Sequence, residues 1–150
     1  MMVNNEIKEL YDTFADEYLT ISKKYLQIND SDIEATLMNH SAIYAYFAAL
    51  LSYAKKVRDD LTIELDKDEA DIMAARRLSL ESVGTKVTQG ALNSYVLSVP
   101  ELVNIRQKLV NADSRYTLAK SLINALDHQK DCLVQISANK RAEAKLFSTN

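Results

Sequence analysis

The sequence predicts an all-α protein: an elongated antiparallel helical hairpin or coiled-coil bundle with two very long helices, a shorter N-terminal helix and a short connecting helix. Three observations carry that expectation. The 150 residues include only 2 Gly and 1 Pro, too few turn formers for a β-sandwich or barrel. Apolar residues step by four and three through two long stretches, the spacing of a helical packing seam. Hydrophobic residues make up 47% of the chain, enough to bury a core and too many for a disordered segment. A single helical domain over residues 1–150 is expected.

The first helix is expected over residues 5–28. Its stripe reads Ile7, Tyr11, Phe14, Tyr18, Ile21, Tyr25 and Ile28, with Glu6 and Glu9 early and Lys23 and Lys24 late, the order the helix dipole favours. A row of Tyr and Phe at this spacing belongs to a buried face before it belongs to a stacking platform. Asn29-Asp30 breaks the pattern.

The second helix, over residues 31–83, is the spine of the chain. Ser31-x-x-Glu34 predicts a capping box at its start. The stripe continues through Ile33, Leu37, Tyr44, Phe47, Leu51, Ala54, Leu61, Leu65, Ile72 and Ala75, with the polar His40, Arg58 and Asp68 on the same line. With no Gly or Pro to interrupt it, such a helix runs to about 80 Å at 1.5 Å per residue. Tyr44, Tyr46, Phe47 and Tyr53 make its first half apolar enough to be covered on more than one side. Asp59 to Asp71 reads as an acidic, solvated stretch, and Arg76-Arg77 follows abruptly.

Around Gly84 the periodicity lapses, which predicts a bend with Lys86 beside it. A short helix is expected over residues 88–97, with Val87, Ala91, Leu92, Tyr95 and Val96 on its apolar side. The last helix, residues 98–147, opens at Ser98-Val99-Pro100-Glu101, a second candidate capping box with Pro in the first turn. Its seam is Leu102, Ile105, Leu109, Ala112, Tyr116, Ala119, Ile123, Leu126 and Leu133, and Lys140, Arg141 and Lys145 form a basic tip. Tyr44, Phe47, Leu51, Leu109, Tyr116 and Ile123 are the positions expected to pack helices, or copies of the chain, together.

The chemistry of catalysis is missing from this pattern. No Gly-rich phosphate loop and no supported Ser/His/Asp or Cys/His set occurs, so no enzyme and no cofactor are expected. His128 and Cys132 stand four apart on one helix, but only His40 remains to help complete a metal site, and Cys132 reads as a small packed residue. Glu6-x-x-Glu9 and Asp68-x-x-Asp71 lie too far apart to be paired metal-binding carboxylates and read as solvated faces. One cysteine, no apolar leader in MMVNNEIKEL and no apolar run of membrane-spanning length predict a cytoplasmic protein without a membrane partner.

Charge is unevenly spread. Residues 1–36 hold 3 Lys against 8 Asp/Glu and residues 37–75 hold 4 Lys/Arg against 7, whereas residues 76–150 hold 11 Lys/Arg against 6 Asp/Glu. An acidic front and a basic back suit either an anion-binding end or helices that complement one another.

Lys86-Val87-Thr88-Gln89, Val99-Pro100-Glu101-Leu102-Val103 and the run from Leu126-Asp127-His128-Gln129 to Leu133-Val134 lie within a stretch of residues 60–147 that resembles the phage recombination mediators of the UvsY type. The resemblance implies a ring-like homo-oligomer that binds single-stranded DNA and helps a RecA-like recombinase displace single-strand-binding protein. Arg76 and Arg77 occupy the place of the basic helix end that contributes to DNA binding in that family. With Lys86, Lys140 and Arg141 they form the candidate nucleic-acid-binding set. The competing expectation is a coiled-coil structural or assembly protein, such as a phage morphogenesis chaperone or adaptor, that binds only proteins.

Overall fold

Four helices follow one another in the computed structural model, which describes residues 5–29 and 31–148: α1 (Asn5–Leu26), α2 (Ile33–Ser82), α3 (Gln89–Ser98) and α4 (Pro100–Ser148). No strand occurs among the described residues, and the two long helices run antiparallel, so the expected all-α hairpin is the fold. Packing divides it into two compact units, to both of which α2 and α4 contribute. Unit 1 comprises the chain up to Ala54 and from Arg115 onward; unit 2 comprises Lys55–Ser114.

In unit 1, α2 is covered on two sides. Its Phe47 ring meets Tyr25 of α1 edge-on at 5.1 Å, and Tyr53 meets Tyr11 of α1 at 5.2 Å. Toward α4, the buried His40 places Nε2 2.9 Å from the Leu126 carbonyl, which accepts a hydrogen bond from it, and the ring stacks on Tyr44. A polar seam residue is thus satisfied and fixes the register of α2 against α4. Ile7, Tyr11, Phe14 and Ile21 of α1 are buried, as their spacing predicts. Burial pushes the Tyr11 phenol above its ordinary pKa, with the Arg115 guanidinium over the ring opposing the shift.

The C-terminal carbonyls of α1 lack partners within the helix. One of them, on Tyr25, accepts a 2.9 Å hydrogen bond from Nε2 of Gln129, a buried amide on α4. α1 ends at Leu26, two residues before the expected boundary, and Ile28 is exposed. Asp30, half of the expected break, lies outside the described residues.

Neither expected capping box forms. The Ser31 hydroxyl donates to the Asn29 side chain at 2.8 Å, and α2 starts at Ile33 with the Asp32 carbonyl accepting from Thr36. Asn29 also accepts from the Ser31 backbone N–H, an Asx turn that competes with the cap. Likewise the Ser98 hydroxyl donates back to the Tyr95 carbonyl at 2.8 Å. Val99 stands at the cap of α4, and Pro100 takes the first helical position, where its missing N–H leaves nothing unpaired.

The bend expected at Gly84 has a definite geometry. Gly84, at φ +73°, donates to the Glu81 carbonyl, and Thr85 donates to Leu80, the paired bonds of a Schellman motif. Apart from Gly84 itself and its two chain neighbours, no atom lies within 4 Å of where a Cβ would sit, so Gly84→Ala tests conformation alone. It is expected to destabilise the protein by about 1 kcal/mol in urea unfolding, the left-handed penalty of an L-residue.

In unit 2, Val96 of α3 packs with Leu102 and Ile105 of α4, and Leu65, Ile72 and Met73 of α2 close over them. Arg106 ties all three helices: its guanidinium is 2.6 Å from Glu69 on α2 and donates to the Val96 carbonyl near the end of α3. The Val96 carbonyl also accepts from the Val99 N–H at the C-cap, and a cation beside it complements the helix dipole.

Candidate nucleic-acid interface

Arg76, Arg77 and Lys86 all belong to unit 2, at the end of α2 and in the loop that follows it. The Schellman motif at Gly84 stops α2 and starts the connection to α3. At the far side of that connection the Thr88 hydroxyl caps α3 by accepting from the Ala91 N–H at 3.3 Å. Leu92 and Val96, four apart and buried, set the inner face of α3.

That docking turns Tyr95 outward. The sequence places Tyr95 on the apolar side of α3, whereas its side chain lies at the edge of the buried face and is 39% exposed. The guanidinium carbon of Arg76 sits 4.7 Å from its ring centroid, a cation–π contact. Arg77 donates to Oε1 of Gln89 at 3.3 Å, and Gln89 donates in turn to Asn93 at 3.0 Å, so neutral amides hold this side of the cluster. Lys86 is exposed.

The electrostatic balance of this surface is set by what is missing from it. Between Asp71 and Pro100 the chain carries Arg76, Arg77 and Lys86 against Glu81 alone. No carboxylate among the described residues is ion-paired with any of the three cations. Arg58 and Arg106, elsewhere in the same unit, have acidic partners: Asp59 at 2.8 Å and Glu69 at 2.6 Å. Cations without carboxylate partners can hold phosphates, and the partly exposed Tyr95 beside one of them, Arg76, can offer a π-face to a base.

Lys140 and Arg141 belong to unit 1. They line a small hollow of about 160 Å³ with Ile33, Glu34 and Ser137, and the Arg141 Nε donates to the Ser137 carbonyl at 3.2 Å. Lys140 is likewise engaged. The five cations proposed from sequence therefore do not form one cluster within a unit.

Of the expected seam, Phe47 and Ile123 are buried, while Tyr44, Leu51, Leu109 and Tyr116 are half-buried. Leu50 and Leu122, absent from the predicted stripes, are almost fully buried. Cys132, expected to be packed, is exposed, because it stands one position off the line through Leu126, Gln129 and Leu133. His128 is exposed too, and no group of three or more His, Cys, Asp or Glu among the described residues is arranged to hold a metal. No described helix is long and apolar enough to cross a membrane.

Comparison of the chain with protein-family models, with curated proteins and with solved structures gives no match.

Proposed function

We propose that the chain is a non-enzymatic recombination mediator or accessory protein that binds single-stranded DNA as a homo-oligomer and assists the loading of a RecA-like recombinase against single-strand-binding protein. The observation that supports this reading most directly is that Arg76, Arg77 and Lys86 share one unit without a carboxylate ion-pair partner among the described residues, Arg76 lying against the ring of Tyr95. Non-specific affinity for a single strand comes from cations that replace condensed counterions, and each phosphate contact contributes about 0.7 to the salt slope. Three contacts give a slope near 2, too shallow for one subunit to bind well at physiological salt. A closed ring of copies repeats the trio and turns weak sites into avidity, provided the sites face the same strand.

Titration of labelled oligo-dT at several salt concentrations tests the proposal. Low-salt binding is expected, and the variant combining Arg76→Ala with Arg77→Ala is expected to lower the salt slope by about 1.4 per subunit engaged. Absence of low-salt binding, or an unchanged slope in the double variant, overturns it.

A second observation favours the reading as a protein-only assembly factor. On unit 2, Ile63 and Val110 are 67% and 62% exposed beside an open hollow of about 710 Å³ that Arg58, Asp59, Leu109 and Asp113 also line. Exposed apolar side chains rimmed by charge suit a protein partner. That reading predicts no salt-sensitive DNA binding and a loss of partner capture on Ile63→Ser with Val110→Ser.

A further inference from the structure

The geometry points to Tyr95 as a stacking platform for an unpaired nucleobase, with Arg76 as the cation that shares its ring. This inference rests on the DNA-binding reading above and adds what that reading lacks, a reason to select single strands over any other polyanion.

Charge alone does not distinguish a single strand from a duplex or a polyphosphate. Selectivity for single strands requires a group that engages the face of a base, and a base in a duplex hides both faces in the stack. Tyr95 meets the physical requirements of that group. Its backbone is held in place because Leu92 and Val96 on either side are 1% and 3% exposed, and Val96 is part of the unit-2 core. The residue is 39% exposed although it belongs to a docked helix. A tyrosine has few rotatable bonds, so an incoming base orders little that is not already ordered.

The Arg76 contact strengthens the assignment. The Arg76 guanidinium lies 4.7 Å from the ring centroid and has no carboxylate ion-pair partner among the described residues. A base stacking on Tyr95 brings its own phosphate close to that guanidinium. Arg76 can then exchange or share the π-face for a charge-assisted hydrogen bond to the phosphate. Arg77 and Lys86 are left to neighbouring phosphates. Stacking is tolerant of base identity, so little sequence preference is expected.

The test separates bases from phosphates. Fluorescence anisotropy of the full chain is measured at low salt with a labelled oligo-dT and with an abasic strand of the same length and charge. The wild type and Tyr95→Phe are expected to bind oligo-dT about tenfold more tightly than the abasic strand. Tyr95→Leu is expected to bind the two strands alike while keeping the wild-type salt slope. Equal binding of both strands by the wild type, or a preference that survives in a folded Tyr95→Leu, overturns the inference and leaves electrostatic DNA binding intact. Photocrosslinking of an iodouridine-substituted strand to the wild-type protein does not depend on any variant folding: a crosslink at Tyr95 is expected, and one mapping only elsewhere overturns the assignment. Failure to bind either strand at low salt removes the DNA reading itself, and this inference with it.

Discussion

Phe47→Ala is expected to destabilise unit 1 by about 3–5 kcal/mol, the range for truncating a large aromatic in a close-packed core. Phe47 is 2% exposed, and its ring meets Tyr25 at 5.1 Å and Tyr46 at 5.3 Å, both near perpendicular. Truncation removes the transfer free energy of the phenyl ring, two edge-to-face contacts and the filling of a site between α1 and α2. Relaxation into that space is limited, because Phe14 and Leu50 in the same unit are themselves almost fully buried. The measurement is urea unfolding followed by circular dichroism, with the midpoint falling and the slope unchanged. A loss under about 1 kcal/mol would show that the Phe47 site collapses freely and that α1 is not held by it.

The second large effect has a pH signature. Gln129 is 6% exposed and donates its amide N–H to the Tyr25 carbonyl at the end of α1. In Gln129→Glu the ionised side chain has no proton to donate and sets a charge against a carbonyl oxygen away from water. The expected cost at pH 7 is about 3 kcal/mol, the lower end for an uncompensated buried charge. Protonation restores a donor, so the introduced carboxyl has a folded-state pKa above its unfolded value of about 4.3. The folded state then binds more protons than the unfolded one, and stability falls as pH rises from the unfolded pKa through the folded one. The variant is thus expected to approach the wild type near pH 4 and to diverge from it toward neutrality. Unfolding curves at both pH values, read as a difference from the wild type, decide the matter; a deficit independent of pH would mean that the site admits water. Gln129→Leu, which fills the space but leaves the carbonyl unpaired, should be intermediate.

The long helices were legible because nothing in their sequence contradicts them: capping aside, every level from glycine content to seam spacing agrees. Coverage of α2 on more than one side was legible from its aromatic residues; what the seam could not convey is which residues widen the buried face. A four-three stripe follows one line, which suits contact with a single neighbour, and it selects Leu51 and Ile123. In unit 1, α1 packs against both α2 and α4, and the buried arc widens to take in Leu50 and Leu122 beside them. The capping serines failed for a different reason. A hydroxyl has several acceptors within reach, and sequence spacing does not rank Asn29 or the Tyr95 carbonyl against the next helix's free N–H groups. At the candidate interface the charges Arg76, Arg77 and Lys86 could be read directly, but their lack of acidic partners could not, since that depends on which carboxylates the fold brings near. Tyr95 was hidden by its chemistry: an apolar body with a polar tip satisfies a core position and a surface position equally well until Leu92 and Val96 fix the face.

The hydrogen bonds that join the helices also differ in how much chain they enclose. In unit 2 the links Arg77–Gln89, Arg106–Val96 and Arg106–Glu69 span 12, 10 and 37 residues. In unit 1 the links His40–Leu126, Arg115–Asp12 and Gln129–Tyr25 span 86, 103 and 104. Loop-closure entropy grows with the logarithm of that span, so closing unit 2 costs an unfolded chain about 1–2 kcal/mol less than closing unit 1 directly. The reversal at Gly84 therefore does more than end a helix. By bringing the adjoining stretches of α2 and α4 together, it shortens the effective loop that unit 1 must still close, so the cheapest order of assembly begins at the reversal and proceeds toward the chain ends.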